Sequence, residues 1–89
     1  MRTMSVEIYS DATNAAVMRH PDRKFPGMLI QGDSLNNMYS MALGALSGAE
    51  PDSDHWYDLK ELVDQLEHRV RLYVKVLKEH GLELPFPES

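Results

Sequence analysis

The feature that most constrains the fold is a long amphipathic stretch over residues 54–80. Apolar side chains recur there at spacings of three and four residues, which is the period of one face of an α-helix. The pattern predicts a single helix about 40 Å long that turns this face toward a core or a partner helix. The positions that form the predicted seam are Trp56, Leu59, Val63, Leu66, Val70, Tyr73 and Leu77.

A shorter helix is predicted over residues 34–47. Asp33 or Ser34 can cap its first turn, and Gly48 can end it in the left-handed conformation. Gly44 lowers its intrinsic stability but permits close approach of another backbone. Its predicted apolar stripe consists of Leu35, Met38, Tyr39, Ala42 and Leu46.

Glycine and proline mark where the long helix must end. Gly81 is expected to be the glycine that closes its last turn. The two prolines that follow, Pro85 and Pro87, cannot continue a helix. Residues 82–89 are therefore predicted to form an extended tail.

The N-terminal third predicts a small antiparallel sheet over residues 3–31. Residues 3–9 alternate between apolar and polar side chains, which is typical of a half-buried strand. Residues 15–20 and 28–31 are predicted to be the second and third strands, because turn-forming residues separate them. The continuous apolar character of the third strand favours a central position or one covered on both faces. The chain is thus predicted to be an α+β protein of order β-β-β-α-α, in which three antiparallel strands precede two helices and the second helix is long.

Length and composition bound the class of protein. The 89 residues, with a net charge of −5, are expected to form one domain, 1–89. The chain has no cysteine, which excludes disulfides and thiolate metal sites. No apolar run is long enough to span a membrane, and the N-terminus lacks the pattern of a signal peptide. These features predict a cytoplasmic protein.

Acidic residues cluster around the start of the long helix. Residues 50–67 hold seven acids against one base, Lys60. Such a surface can steer a basic protein partner into place, whereas it repels nucleic acid. The alternative interpretation is an ordinary solvated helix face. The candidate partner-binding residues are Glu50, Asp52, Asp54, Asp58 and Glu61.

A basic loop between the second and third strands is a candidate anion site. Arginine side chains near the amides of a helix N-terminus can hold an anion. The alternative is a solvated turn whose charges pair with the acidic half of the chain, and no phosphate-loop or dinucleotide motif is present. The candidate residues are Arg19, His20, Arg23, Lys24 and Ser34.

The C-terminal half of the long helix is apolar nearly all round. One face can cover the fold, and another face also needs a cover, which favours a homodimer through this helix. The alternative is that the first helix and the tail cover it within one monomer. The candidate dimer-interface residues are Val70, Tyr73, Val74 and Leu77.

No metal site, cofactor site or catalytic site is predicted. The four histidines are far apart in the sequence and lack metal-ligand spacing. No serine, histidine or aspartate sits in a recognisable nucleophile motif. A domain of this size was also expected to leave little room for a ligand pocket of about 300 Å³ or more. We therefore expect a protein that is not an enzyme.

A resemblance to known proteins lies between Asn14 and Leu35. This stretch contains an Asn-x-x-Val-x-Arg-x-Pro-x-Arg-x-Phe-Pro-Gly run followed by Gln-Gly-Asp-Ser-Leu, and it resembles a family of short bacterial proteins of unknown function. Small acidic proteins of this kind also resemble immunity proteins of bacterial toxin systems. This second resemblance is an analogy in size and charge and not in the residues of a site. The leading hypothesis is a non-enzymatic bacterial interaction protein, most concretely an immunity protein that neutralises a cognate toxin. The alternative is a small module that binds an anion or a phosphometabolite.

Overall fold

The computed structural model describes residues 1–88. Three strands precede two helices, and α2 with 26 residues is longer than α1 with 17, so the predicted order and the α+β class are confirmed. The chain divides into two compact units, a sheet unit of residues 1–31 and a helical unit that begins at Gly32. The expectation of one domain stays a prediction. The elements are β1 (Glu7–Ser10), β2 (Ala16–Arg19), β3 (Gly27–Leu29), α1 (Gly32–Gly48) and α2 (Asp54–Glu79).

The sheet unit is an antiparallel meander in the order β1-β2-β3. A bulge lies between Ile8 and Ser10, where the register shifts. The prediction that the third strand is central is wrong, because β2 lies in the middle and β3 at an edge. All three strands have fewer residues than predicted, because β1 pairs with β2 only over Glu7–Ser10 and β3 pairs with β2 only over Gly27–Leu29.

No residue of the sheet unit is buried. Every residue of β1 is exposed, so the prediction of a half-buried first strand is wrong. Ile8, for example, keeps 57% of its surface in contact with solvent. The alternating pattern marks a strand correctly, but no second layer within this unit packs over the sheet faces.

The helical unit has its own small core. Ala42 of α1 is buried against Val63 and Leu66 of α2. All seven predicted seam positions of α2 are buried or half-buried, which confirms the predicted seam. Met38 of α1 is 43% exposed, so its inclusion in the apolar stripe is wrong. It lies about 60° around the helix from Leu35, at the edge of the stripe. The partly buried side chains that pack on this core are Leu35, Tyr39 and Leu46.

Both ends of α2 are capped within the chain. The Ser53 side chain accepts a hydrogen bond from the backbone N–H of Trp56 at 3.1 Å. At the other end Gly81 has φ 66°, as predicted, and its N–H donates to the carbonyl of Lys78. The N–H of Leu82 donates to the carbonyl of Leu77 at 2.9 Å, which completes a Schellman motif. These bonds fix where the acidic start and the apolar end of α2 lie.

Two glycines of α1 behave differently from the prediction. Gly48 lies inside the helix rather than in a left-handed cap, and the positive φ falls on Asp52 instead. Gly44 has no other atom near its missing side chain, whereas a methyl group at Gly32 would overlap the ring of Tyr73. The close approach predicted at Gly44 therefore occurs at Gly32, at the start of α1.

Candidate partner-binding face

Three carboxylates line one exposed face of α2. Asp54, Asp58 and Glu61 follow one another at spacings of four and three residues, so they project from the same side of the helix. All three residues are exposed, and within residues 1–88 none of them forms an ion pair. Glu61 accepts only a long hydrogen bond of 3.5 Å from Gln65. We call these three residues the acidic face.

Three of the four remaining acids of the cluster have carboxylates that are engaged inside the chain, and Glu50 is the exception. The carboxylate of Asp64 lies 2.6 Å from Nζ of Lys60, one turn earlier. Asp52 accepts a hydrogen bond of 3.1 Å from the hydroxyl of Tyr57. Glu50 is exposed in the segment before α2, where its backbone carbonyl accepts from Ser53. Glu67 pairs with Arg71 at 2.7 Å, as expected from their spacing. The five predicted partner-binding residues therefore lie near one another in the chain, but three of them form the free face.

Exposed apolar side chains flank the acidic face, and the sequence-based analysis missed them. Tyr57 is 56% exposed and Leu62 is 47% exposed. Leu62 belongs to a second run on α2 whose members each precede one seam residue and lie about 100° from it. This run repeats the spacing of the seam, three and four residues, one position earlier in the sequence. That repeat was the signal that could have revealed Leu62. This outer stripe consists of Asp58, Leu62, Gln65, Arg69, Leu72 and Val76, all of them exposed.

The predicted dimer-interface residues lie on the inner side of α2. Val70 is buried, and Tyr73, Val74 and Leu77 are half-buried. The ring of Tyr73 stacks on Phe86 of the tail, with 6.1 Å between centroids and 26° between planes. Other residues of the helical unit therefore cover much of this surface. A homodimer through these residues stays a prediction.

The basic loop of the sheet unit is partly engaged. Arg19 pairs across the strands with Glu7, its register partner on β1. Nδ1 of His20 accepts a hydrogen bond of 3.1 Å from the backbone N–H of Asp22. Lys24 lies over the ring of Phe25, 5.4 Å from its centroid. The loop is thus a structured turn, and the side chains of Arg23 and Lys24 are exposed to solvent there.

Hydrogen bonds to Glu7 shift three titratable groups. The guanidinium of Arg19 and the hydroxyl of Tyr9 both donate to the carboxylate of Glu7, and these bonds lower its pKa. The same carboxylate raises the pKa of Tyr9 and the pKa of Arg19. All three groups are open to solvent, which screens the interaction. Arg19 is therefore held on Glu7 in the sheet unit.

A concavity of about 530 Å³ lies beside this loop in the sheet unit. His20, Arg23 and Lys24 line it together with apolar side chains that include Met18 and Phe25. Three of the predicted anion-binding residues thus surround one hollow. Ser34 belongs to the helical unit, where its N–H donates to the side chain of Asp33 at 2.9 Å.

A second groove, of about 460 Å³, lies within the helical unit. Its apolar lining includes Tyr39, Val70, Val74 and Phe86. The charged residues at its rim pair with one another, as Lys78 does with Glu88 of the tail at 2.7 Å. The expectation that so small a chain leaves little room for a pocket is therefore wrong, because two helices and the tail enclose space that a sequence does not reveal.

The fold and this surface define a class, a small α+β protein whose longest helix presents free carboxylates to solvent. Among residues 1–88 no helix is long and apolar enough to cross a membrane, and no three histidine or acidic side chains come together as a metal site. The chain belongs to DUF6959, a family of unknown function, which matches residues 1–86. This match confirms the resemblance to an uncharacterised family. No curated protein and no solved structure matches the chain.

Proposed function

We propose that this chain is a non-enzymatic interaction protein of the bacterial cytoplasm, and most concretely an immunity protein that neutralises a cognate toxin. The observation that carries the proposal is the acidic face, where Asp54, Asp58 and Glu61 stand exposed without an ion-pair partner in residues 1–88. Free carboxylates at one helix face produce a negative potential that accelerates encounter with a basic protein surface. The toxin would supply that basic surface.

The apolar neighbours of the acidic face support a docking role. Charge alone gives speed and specificity of encounter, whereas affinity comes from a few well-packed aromatic or apolar anchors. Tyr57 and Leu62 offer such anchors beside the carboxylates. The Tyr57 ring meets Trp56 edge-on, with 5.1 Å between centroids, and its hydroxyl is bonded to Asp52. Because its position is already fixed, this ring loses little freedom on binding.

The test is protection of cells that express a toxin candidate, chosen from the genes that lie beside the gene for this chain. The double variant Asp58→Lys/Glu61→Lys should lose protection and co-purification, because it reverses two carboxylates of the acidic face. The matched control is Asp11→Lys/Glu83→Lys, which changes the net charge equally at exposed positions elsewhere. Circular dichroism confirms that both variants are folded.

The outcomes separate the general proposal from the particular surface. If the wild-type chain neither protects the cells nor co-purifies with the toxin candidate, the immunity function is rejected. If both double variants protect as well as the wild type, the acidic face is rejected as the docking surface. Loss in the first variant and retention in the control is the expected result.

A second candidate function is binding of a small anion or phosphometabolite in the sheet unit. Arg23 and Lys24 line the concavity there and have no acidic partner within residues 1–88. Inorganic phosphate and a phosphomonoester should raise the melting temperature of the wild type, and Arg23→Gln/Lys24→Gln should abolish the rise. Arg2→Gln/Lys60→Gln is the matched control. A wild type that does not respond to either probe excludes this function.

A further inference from the structure

The outer stripe of α2 has the spacing of a coiled-coil seam. Its six residues, from Asp58 to Val76, are separated by four, three, four, three and four residues. This is the heptad pattern that keeps one line of side chains facing a second helix. Leu62, Leu72 and Val76 on this line are 47%, 54% and 39% exposed. The stripe is therefore a seam that no second helix covers within residues 1–88.

The charge on α2 is polarised along its length. Residues 54–67 hold five acids and one base, whereas residues 68–79 hold four bases and one acid. The two halves are thus about equal and opposite in charge. Two copies of α2 laid parallel would oppose like charges, whereas two copies laid antiparallel would oppose unlike charges. The charge distribution of α2 is therefore complementary to that of a second, antiparallel copy of α2.

We propose that two copies of this chain pair through the outer stripes of α2 in antiparallel orientation. A twofold axis that sets Leu62 against Leu72 of the partner subunit also sets Leu72 against the partner's Leu62, which buries both leucines of the stripe. The same register opposes Gln65 with the partner's Arg69. A contact of this kind uses the same patch on both copies and closes on itself.

The central cation of the stripe, Arg69, fits this register. The guanidinium of Arg69 donates to the backbone carbonyl of Gln65 at 3.0 Å and has no carboxylate partner within residues 1–88. In the antiparallel pair it comes within a helical turn of Glu61 of the partner subunit. The twofold axis produces two such pairs, one on either side of it. The central polar residues thereby fix the register that the leucines alone would leave free.

Self-pairing goes beyond the proposed function and competes with it. The pair covers Asp58 and lies beside Glu61, so a copy in the dimer cannot present the complete acidic face to a basic protein. Dimer and partner complex are therefore alternative states of one surface. A basic partner should convert the dimer to a one-to-one complex by mass action.

Engineered cysteines test the orientation, because the natural chain has none. Leu62→Cys and Leu72→Cys variants, mixed and oxidised by air, should form the mixed disulfide in preference to either homodisulfide. Lys60→Cys, an exposed position about 160° around α2 from Leu62 and about 120° from Leu72, is the matched control. Predominant homodisulfide of Leu62→Cys would overturn the antiparallel orientation. Cross-linking no greater than in the control would overturn the pairing itself.

A charge-swap cycle tests the register by sedimentation equilibrium. Glu61→Lys and Arg69→Glu should each raise the dimer dissociation constant about tenfold, and the double variant should recover most of this loss. Losses that simply add in the double variant would reject the pair. A wild type that stays monomeric over the whole concentration range would reject the dimer.

Discussion

The helical unit and the sheet unit differ in what surrounds their apolar side chains. In the helical unit Val63 is only 3% exposed, and Leu66 and Val70 are buried beside it. In the sheet unit no residue is buried, and Met28 and Leu29 of β3 are 60% and 49% exposed. Both units contain regular elements with a clear apolar pattern. The pattern therefore predicts the element, but it does not predict how completely the element is covered.

This difference shows what holds each unit together. α1 and α2 exclude water from a shared set of apolar side chains, which is the main source of stability in small folds. The sheet relies on its backbone ladder and on cross-strand contacts such as Arg19 with Glu7. Contacts of the second kind, exposed to solvent, each contribute little. Mutations in the two units should therefore have very different effects on the free energy of unfolding.

The largest expected effect is a cavity in the helical core. Leu66→Ala should lower the free energy of unfolding by about 2–4 kcal/mol, because it removes a buried side chain between the helices. Leu29→Ala is the same substitution at an exposed position of β3 and should cost less than about 1 kcal/mol. Urea denaturation of both variants measures the difference. Equal losses in the free energy of unfolding would contradict the proposed difference between the two units.

The next effect concerns the glycine that begins the helical unit. Gly32→Ala should cost about 1–3 kcal/mol, because the new methyl group overlaps the ring of Tyr73. Tyr73→Leu should make this substitution much less costly in a double-mutant cycle. Gly44→Ala, where space is open, should instead stabilise the chain by up to about 1 kcal/mol. A neutral Gly32→Ala in the wild-type background would disprove the close contact.

A smaller effect is expected from the tail. Phe86→Ala should lower the free energy of unfolding by about 1 kcal/mol, because the stack on Tyr73 is lost. The chain has one other phenylalanine, Phe25 in the sheet unit, which is 73% exposed. Phe25→Ala should leave stability nearly unchanged under the same thermal denaturation. The reverse order would show that the tail does not pack on the helical unit.

The smallest effect is expected at the exposed pair of the sheet unit. The pKa of Glu7 is lowered by its donors, so its contribution is present above the ordinary value of 4.5 and is lost as the pH falls through the lowered pKa. Glu7→Gln should thus be slightly less stable than the wild type at about pH 7, and the difference should be smaller at about pH 3. Urea midpoints at the two pH values measure it. A difference that grows on acidification would contradict the lowered pKa.

Most of the fold could be predicted from the sequence because its period is regular. The seam from Trp56 to Leu77 and the glycine at the end of α2 were identified from spacing and from backbone chemistry. The exposure of Ile8 and the contact at Gly32 could not be predicted from the sequence, because both depend on which other atoms the fold brings near them. An alternating strand has the same pattern whether or not a layer covers it.

The candidate site was predictable in part for the same reason. The acidic residues stand out in the sequence, but only the structure separates the free Asp58 and Glu61 from the engaged Asp64. Leu62 was overlooked because the buried seam one position later, at Val63, has the same spacing. The sequence contains both stripes, and the packing decides which one is left in contact with solvent.

The most direct test of the acidic face is the association rate with the toxin candidate at two salt concentrations. Stopped-flow measurements should show a wild-type rate constant that falls steeply as salt rises, because steering by the acidic face is screened. Asp58→Lys/Glu61→Lys should be about tenfold slower at low salt and nearly independent of salt, whereas Asp11→Lys/Glu83→Lys should keep most of the wild-type rate. A rate constant that is unchanged by reversal of Asp58 and Glu61 would contradict the role assigned to this face.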